Sequence, residues 1–272
     1  MTKEPEPARR FELEVMIDAP LETVWKALTE GRGIANWFPP EASVDRPGRG
    51  GKVTLSWGEA MAWSVNVDAW QPGEHLRWLD DNGFMGEGTV IAIDFHLATE
   101  GGKTRLRMVQ SGFGASAGWD DFFEGTEAGW TYFLYNLRLY VERHLGRVRH
   151  LISERFEVRT PRDLVWRHLL SATAGLVLAG GATVEKGDWV QVELPGLDRV
   201  RAAVEVVLDG KVLALRLADL DDSVLFIELE TGRDRFHVGC WLSVYDAERA
   251  RTIEGPARRA FGRLQETLLQ SH

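Results

Sequence analysis

The fold is decided by two stretches that share one pattern: APLETVWKAL at residues 19–28 and TPRDLVWRHL at residues 160–169. A proline, a Val-Trp pair, a basic residue and a leucine coincide at an offset of 141 residues. In both stretches an alternating apolar run precedes the proline, and apolar residues at helical spacing follow it. Because proline suits the first turn of a helix, each copy predicts a strand followed by a short helix. Two copies of one domain are the simplest explanation.

Segments with a period of two residues follow each of these stretches. They cover residues 53–57, 61–67, 76–78, 91–97 and 106–108 in the first half, and residues 189–194, 200–208, 212–217, 224–229 and 236–244 in the second. Each segment places its apolar residues on one face, and Gly101-Gly102 and Asp209-Gly210 are typical of hairpin turns. The pattern therefore predicts an antiparallel sheet with one buried face in each half.

A helix is predicted to close each half. Residues 120–144 carry a broad apolar face, and a second helix is predicted to begin near Pro256. The apolar stripe of the second helix consists of Ala257, Phe261, Leu264 and Leu268. In the first helix, the opposite side carries another stripe, formed by Tyr132, Tyr135 and Leu139. We expect these three interface candidates to contact the other half of the chain or a partner subunit.

The length of 272 residues and the repeated pattern predict an α+β protein of two domains. Residues 1–10 are rich in proline and glutamate and are predicted to be a disordered lead-in. Residues 11–146 form the first predicted domain, and residues 147–151 form a linker after it. Residues 152–272 form a second, degenerate domain.

Charge and cysteine content narrow the class of protein. The chain has 32 basic and 41 acidic residues, a formal net charge of −9, which disfavours a protein that tracks nucleic-acid phosphates. Residues 1–146 hold 14 basic and 22 acidic residues, so most of the acidic excess lies there. The single cysteine, Cys240, cannot form an intrachain disulfide. No apolar run reaches the roughly 18 residues of a membrane span, and we expect a cytoplasmic protein.

Several motifs of the first half occur in the order typical of a known family. They are IDAP at residues 17–20, VW at 24–25, WF at 37–38, PGRGG at 47–51, TRL at 104–106, SGFG at 111–114 and GW at 129–130. With these motifs, residues 11–146 resemble the AHSA1-like branch of the START/Bet v 1 (SRPBCC) superfamily, and residues 151–272 resemble a degenerate second member. The resemblance implies a helix-grip fold in each half, in which a curved antiparallel sheet wraps a long C-terminal helix and leaves an apolar cavity.

The resemblance also implies classes of function. Members of the superfamily bind lipids, hormones, polyketides or other hydrophobic molecules, a few are enzymes, and the AHSA1 branch includes the co-chaperone that stimulates the ATPase of Hsp90. The sequence departs from the family pattern in two respects. Gln110 stands where family members often carry a histidine, and the stretch before Phe11 is not expected to supply the separate Hsp90-binding domain of the eukaryotic co-chaperone.

Aromatic residues supply the candidate ligand site. The chain has 11 tryptophans, and eight of them lie in residues 1–146. The residues predicted to face the space between sheet and helix, or to lie near its mouth, are Trp37, Phe38, Trp57, Trp63, Trp78, Phe95, Phe113, Trp119, Phe122, Trp130 and Phe133. Such rings line pockets for small apolar ligands. The alternative is that they are ordinary core residues that fill this space.

No catalytic, metal or cofactor site is predicted. The sequence lacks a complete P-loop, a His-Glu-x-x-His motif and a nucleophile elbow. His75 and His96 are expected to be exposed, and His144 is expected to lie at its helix end, where the dipole favours a cation. We therefore expect the first domain to bind a hydrophobic or aromatic small molecule or lipid without catalysis, with the second domain structural or regulatory. A co-chaperone-like interaction module of the stress response is the second hypothesis, a hydrolase or cyclase is the third, and a dimer is left open.

Overall fold

The computed structural model describes residues 9–58, 61–81, 89–171, 177–178, 183–194, 196, 199–230 and 236–270. The chain divides into two compact units, residues 1–123 with 133–146 and residues 124–132 with 147–272. Each unit is built on its own antiparallel sheet. Residues 1–8 of the predicted lead-in lie outside the described residues, and Arg9 and Arg10 already belong to the first strand.

Seven strands of the described residues form the first sheet. They are β1 (Arg9–Ile17), β2 (Glu41–Val44), β3 (Lys52–Ser56), β4 (Ala62–Gln71), β5 (His75–Asp80), β6 (Ile91–Glu100) and β7 (Lys103–Phe113). Their order is β1-β7-β6-β5-β4-β3-β2. Strand β2 was not predicted from the sequence, because this four-residue strand shows little hydrophobic alternation.

One face of the first sheet carries most of its buried side chains. Leu76 and Trp78 of β5 are buried, while His75 and Arg77 between them are half-buried, as expected for side chains that alternate between faces. Leu76 lies opposite Phe95 of β6, which places this ring on the same face. We call this side the inward face.

Three helices belong to the first half: α1 (Leu21–Thr29), α2 (Gly31–Ala35) and α3 (Asp120–Arg143). In α1, Val24, Trp25 and Leu28 are buried, which confirms the stripe predicted from the repeated pattern. Pro20 is the N-cap residue just before α1, with an extended backbone. The predicted helix 120–144 is confirmed as α3, with His144 as its C-cap residue.

The second unit repeats this topology. Its strands, counted over the described residues, are β8 (His150–Val158), β9 (Val177–Leu178), β10 (Trp189–Val192), β11 (Val200–Leu208), β12 (Val212–Leu217), β13 (Ser223–Leu229) and β14 (Phe236–Val244). Their order, β8-β14-β13-β12-β11-β10-β9, matches that of the first sheet position by position. Because β8 begins at His150, this strand starts inside the segment 147–151 that was predicted as a linker.

The helices of the second unit are α4 (Arg162–Leu169) and α5 (Ala247–Gln270). The predicted start of α5 near Pro256 is wrong, because Pro256 lies inside the helix. The start is marked by Asp246, whose carboxylate accepts a hydrogen bond from the backbone N–H of Arg249 at 2.7 Å. The buried stripe begins before the proline, at Ala250 and Ile253, and continues through the four residues predicted for it.

Within the described ranges, no helix combines the length and the apolar character needed to cross a bilayer.

Candidate functional site

Many aromatic side chains of the first unit belong to one of two groups of neighbouring rings. The first, which we call the Phe38 group, comprises Trp37, Phe38, Trp57, Trp63, Trp78, Phe95 and Phe133. The second, the Phe113 group, comprises Phe11, Phe113, Trp119, Phe122 and Phe123. Ten of the eleven predicted lining residues thus fall into one of two clusters.

Phe38, which follows α2, lies at the centre of the first group. Its ring meets Phe133 of α3 edge-on at a centroid distance of 4.6 Å and Trp57 edge-on at 5.2 Å. It also stacks on Trp37 at 5.3 Å and lies 6.4 Å from Trp78. Edge-to-face and offset-stacked pairs contribute about 0.5–1.5 kcal/mol each beyond the area they bury. Phe38 therefore joins the helix and the sheet through ring contacts.

Exposure changes across the Phe38 group. Trp37 and Trp78 are fully buried, with 0% and 1% of their surface exposed. Trp57, Trp63 and Phe133 are half-buried, and the two indoles stack at 4.9 Å with an interplanar angle of 6°. The group thus has a closed end at Trp37 and Trp78 and a side at Trp57 and Trp63 that an apolar molecule can reach.

Two buried amides hold the closed end in place. Asn136 Nδ2 of α3 donates to the backbone oxygen of Trp37 at 2.6 Å, and Trp37 Nε1 donates to the backbone oxygen of Ala27 at 2.9 Å. Asn36 Nδ2 donates to the hydroxyl of Tyr140 at 3.2 Å. These roles of Asn36 and Asn136 were not predicted from the sequence, because a single amide in a helix or loop carries no periodic signal.

The Phe113 group lies where β1 and β7 meet the start of α3. Phe113 is fully buried, and its ring lies 5.7 Å from Phe11 and 5.0 Å from Phe123. The guanidinium of Arg9 lies 4.8 Å from the centre of the Phe123 ring and is paired with Asp120 at 2.7 Å. Phe11 and Phe123 were not among the predicted ligand-site residues, although the alternation in β1 marks Phe11 as a buried residue.

Trp130 and the three interface candidates belong to the central part of α3. Trp130 and Tyr132 belong to the segment 124–132 that is grouped with the second unit, and the ring of Tyr132 stacks on Phe226 of that unit at 3.7 Å. Tyr132, Tyr135 and Leu139 are all buried, with 3%, 6% and 5% of their surface exposed. None of the three therefore offers an exposed surface to another protein.

A polar cluster lies on the opposite face of the first sheet. The expectation of exposed histidines is wrong: His75 and His96 are half-buried, and their rings stack at 4.5 Å because they face each other across β5 and β6. His75 Nε2 lies 2.6 Å from Oδ1 of the buried Asp94. Arg77 donates to both oxygens of Asp94, at 2.7 and 3.2 Å.

Electrostatics explain what this cluster does in the fold. Burial opposes ionisation of Asp94, but hydrogen bonds from Arg77 and His75 outweigh it and lower the pKa of Asp94. Burial, together with the neighbouring His75 and Arg107, lowers the pKa of His96. The ligand atoms of His75, Asp94 and His96 lie within 4.8 Å of one another, close enough to approach one metal ion. Since Arg77 already occupies both oxygens of Asp94, the cluster serves here as an ion-pair network between neighbouring strands.

One acidic residue of the inward face was missed. Asp80 is the last residue of β5, is buried, and shares its face with Trp78. The Asp-Asp-Asn-Gly sequence at residues 80–83 favours a turn and hid this strand position. Asp80 is thus an acidic side chain on the face where an enzymatic hypothesis would need a titratable group.

The second unit has a cavity of different character. It has a volume of about 280 Å³ and lies between the start of β8 and the first turns of α5. Among the described residues, its lining combines the polar His150, Arg251 and Glu254 with the aliphatic Leu151, Ile152, Ala247 and Ala250. This mixed lining contrasts with the aromatic groups of the first unit.

These features define the class of fold. In the first half, a long closing helix contributes Phe133 and Asn136 to the inward side of an antiparallel sheet, and in the second half α5 packs on β8 and β14. The chain is therefore an α+β protein of the helix-grip class. Residues 18–142 match the family model described as Activator of Hsp90 ATPase homolog 1-like protein (AHSA1).

Three of the solved structures that are similar to this chain are the following. A protein of Mesorhizobium loti, MLL2253, is 27% identical over 50% of this chain and 98% of its own, with a TM-score of 0.42. DynU16, described as a putative protein in the dynemicin biosynthetic locus, is 16% identical over 96% of this chain and 98% of its own, with a TM-score of 0.43. The Aha1 dimer from Colwellia psychrerythraea is 22% identical over 51% of this chain and 99% of its own, with a TM-score of 0.43. No curated protein sequence matches this chain significantly.

Proposed function

We propose that the first unit binds a hydrophobic or aromatic small molecule at the Phe38 group, without catalysis. The observation that carries the proposal is the gradient of exposure in this group, from the fully buried Trp37 and Trp78 to the half-buried stack of Trp57 and Trp63. Rings that face solvent on one side and are anchored on the other offer a large apolar surface at little entropic cost. The superfamily that the sequence resembles supports the same class of ligand.

The proposal is tested with Nile red, a neutral apolar dye whose emission rises in an apolar site. A neutral probe avoids repulsion by the acidic first half. We expect saturable binding of one dye per chain, and Trp57→Ala should weaken it about tenfold, because the stacked indole of Trp63 loses its partner.

Trp189→Ala is the matched control. Trp189 is the tryptophan of β10 and is 55% exposed, so its removal should leave dye binding unchanged. Dye binding that is absent, or equal in Trp57→Ala and unmodified protein, would refute the proposed site.

A co-chaperone-type function is the second candidate, and the description of the matching family model supports it. The burial of Tyr132, Tyr135 and Leu139 removes the surface on which this hypothesis rested. The test is the ATPase rate of Hsp90 with and without this protein. Stimulation would favour the co-chaperone function, and an unchanged rate together with no co-purification would exclude it.

The cellular setting and the second unit complete the proposal. We place the protein in the cytoplasm, since its single cysteine is buried and a reducing compartment keeps such a thiol unmodified. We assign the second unit a structural or regulatory role, because its inward side is filled mainly by aliphatic residues.

A further inference from the structure

Two buried polar atoms on the inward face have no partner in the described part of the chain. They are Nε1 of Trp78 and Oε1 of Gln110, whose residues are 1% and 4% exposed. Buried hydrogen-bonding groups are rarely left unpaired, because each costs about 1–3 kcal/mol when it loses water without gaining a partner. A donor and an acceptor that both lack one indicate a molecule that supplies the hydrogen bonds.

The strand register places these atoms in one row. Trp78 of β5 lies opposite Ile93 of β6, Ile93 lies opposite Gln110 of β7, and Gln110 lies opposite Phe11 of β1. Directly opposite residues point to the same face. Both polar side chains therefore belong to the inward face, with Ile93 between them.

This row also connects the two aromatic groups. Trp78 belongs to the Phe38 group, and Phe11, at the other end of the row, belongs to the Phe113 group. Neighbouring strands lie about 4.8 Å apart, so the backbones of Trp78 and Gln110 are separated by about 10 Å. That is the scale of a small polycyclic aromatic molecule, which would contact rings on both sides.

The chemistry of the two side chains restricts the ligand. An indole N–H only donates a hydrogen bond, whereas a glutamine amide presents an acceptor oxygen or its NH₂ group. A hydroxyl group both donates and accepts, so one hydroxyl placed over Ile93 can accept from Trp78 Nε1 and donate to Gln110 Oε1. A pure hydrocarbon would leave both polar groups unpaired.

We propose that Trp78 Nε1 and the Gln110 amide are the hydrogen-bonding contacts of the bound molecule, and that this molecule is a hydroxylated aromatic compound. The inference rests on the proposed function, since it needs a ligand at the inward face. It adds the chemical class of that ligand and the two residues that recognise its polar group.

The test compares two probes of nearly the same shape, 2-naphthol and 2-methylnaphthalene. Their dissociation constants are measured on the full chain and expressed as a ratio, methyl over hydroxyl. In Gln110→Leu we expect this ratio to fall about 3- to 10-fold, the effect of one hydrogen bond. Trp78→Phe should lower it similarly, because the ring is kept and the N–H is lost.

The matched controls are Gln71→Leu and Trp70→Phe. Gln71 is exposed at the end of β4, and Trp70 packs edge-on against Trp25 at 5.2 Å. Neither control should change the ratio.

The second measurement is an NMR titration of the unmodified protein. In spectra of ¹⁵N-labelled protein, the indole N–H signal of Trp78 should move downfield with 2-naphthol and not with 2-methylnaphthalene. If both probes bind with the same ratio in every variant, and the Trp78 signal responds alike to both, the inference is wrong while the proposed function stands. If neither probe binds the unmodified protein while Nile red does, the inference is wrong and the proposed function stands; if Nile red does not bind either, both are wrong.

Discussion

The two halves of this chain have the same strand order but fill the space inside their sheets differently. In the first half, ring contacts of Phe38 and Phe113 organise the inward side. In the second half, leucine, valine, isoleucine and alanine dominate the core, with Phe261 of α5 fully buried among them.

The difference extends to the outer faces of the sheets. Side chains of β5 alternate between buried and half-buried, whereas nearly all of those in β12 and β13 are buried. Phe226 of β13 is covered by the ring of Tyr132, from the segment 124–132 grouped with the second unit. One topology thus carries two kinds of packing: aliphatic residues dominate the core of the second unit, whereas rings, some of them half-buried, organise the first, where we propose that a ligand binds.

The largest expected effect concerns core packing. Phe261→Ala removes a fully buried ring from the second unit and should destabilise it by about 3–5 kcal/mol. Phe133→Ala, at a half-buried position of α3, should cost about half as much. Urea unfolding followed by circular dichroism measures the loss of unfolding free energy in both variants. Equal losses would contradict the expected difference between a fully buried ring of the second unit and a half-buried ring of the first.

The next effect concerns the amide that positions Trp37. Asn136→Ala should destabilise the first unit by about 1–3 kcal/mol, because the buried backbone oxygen of Trp37 loses its donor at 2.6 Å. Asn66→Ala is the control, since Asn66 donates to Asp81 at the surface, where water replaces the lost bond. Comparable unfolding midpoints for the two variants would contradict the role given to Asn136.

A substitution that stabilises the protein is expected at Gln110. Gln110→Leu removes a buried, unpaired oxygen and should raise the free energy of unfolding by about 1 kcal/mol in the absence of ligand. Gln71→Leu at the surface should change it by less than about 0.5 kcal/mol. A clear loss of stability in Gln110→Leu would mean that the amide is already satisfied within the fold.

The smallest effect is a pH dependence at the outer face of the first sheet. The pKa of Asp94 is lowered in the folded state, so its carboxylate stabilises the fold above the unfolded aspartate pKa of about 3.9, and this contribution is lost as the pH falls through the lower folded pKa. Thermal midpoints of unmodified protein and Asp94→Asn should therefore converge below about pH 4. Glu14→Gln, at an exposed pair with Arg105, is the control, and a constant gap from pH 7 to pH 3 would be inconsistent with the assignment.

The sequence predicted the features that follow from local patterns. The repeated proline with Val-Trp located α1 and α4, and hydrophobic alternation located most strands, because both signals depend on residues near one another in the chain. The start of α5 was predicted wrongly because a proline is common at a helix start. Pro256 lies inside the helix instead, and the buried stripe of α5 has residues both before and after this proline.

What depends on strand register could not be predicted. The pairing of His75 with His96, and the row that contains Trp78 and Gln110, depend on which residues of neighbouring strands lie opposite each other. Alternation fixes the face of a residue within its own strand, but it does not align one strand with the next. For the same reason the aromatic residues were predicted as a set, and their division into two groups was not.

We propose that the first unit binds an aromatic molecule and that the second does not. This proposal is tested most directly by titrating ¹⁵N-tryptophan-labelled full chain with 2-naphthol and following the indole N–H signals, assigned by single Trp→Phe substitutions. We predict saturable shifts for Trp57, Trp63 and Trp78, with the signals of Trp166, Trp189 and Trp241 unmoved. Shifts confined to the second set, or none in the first, would contradict the account.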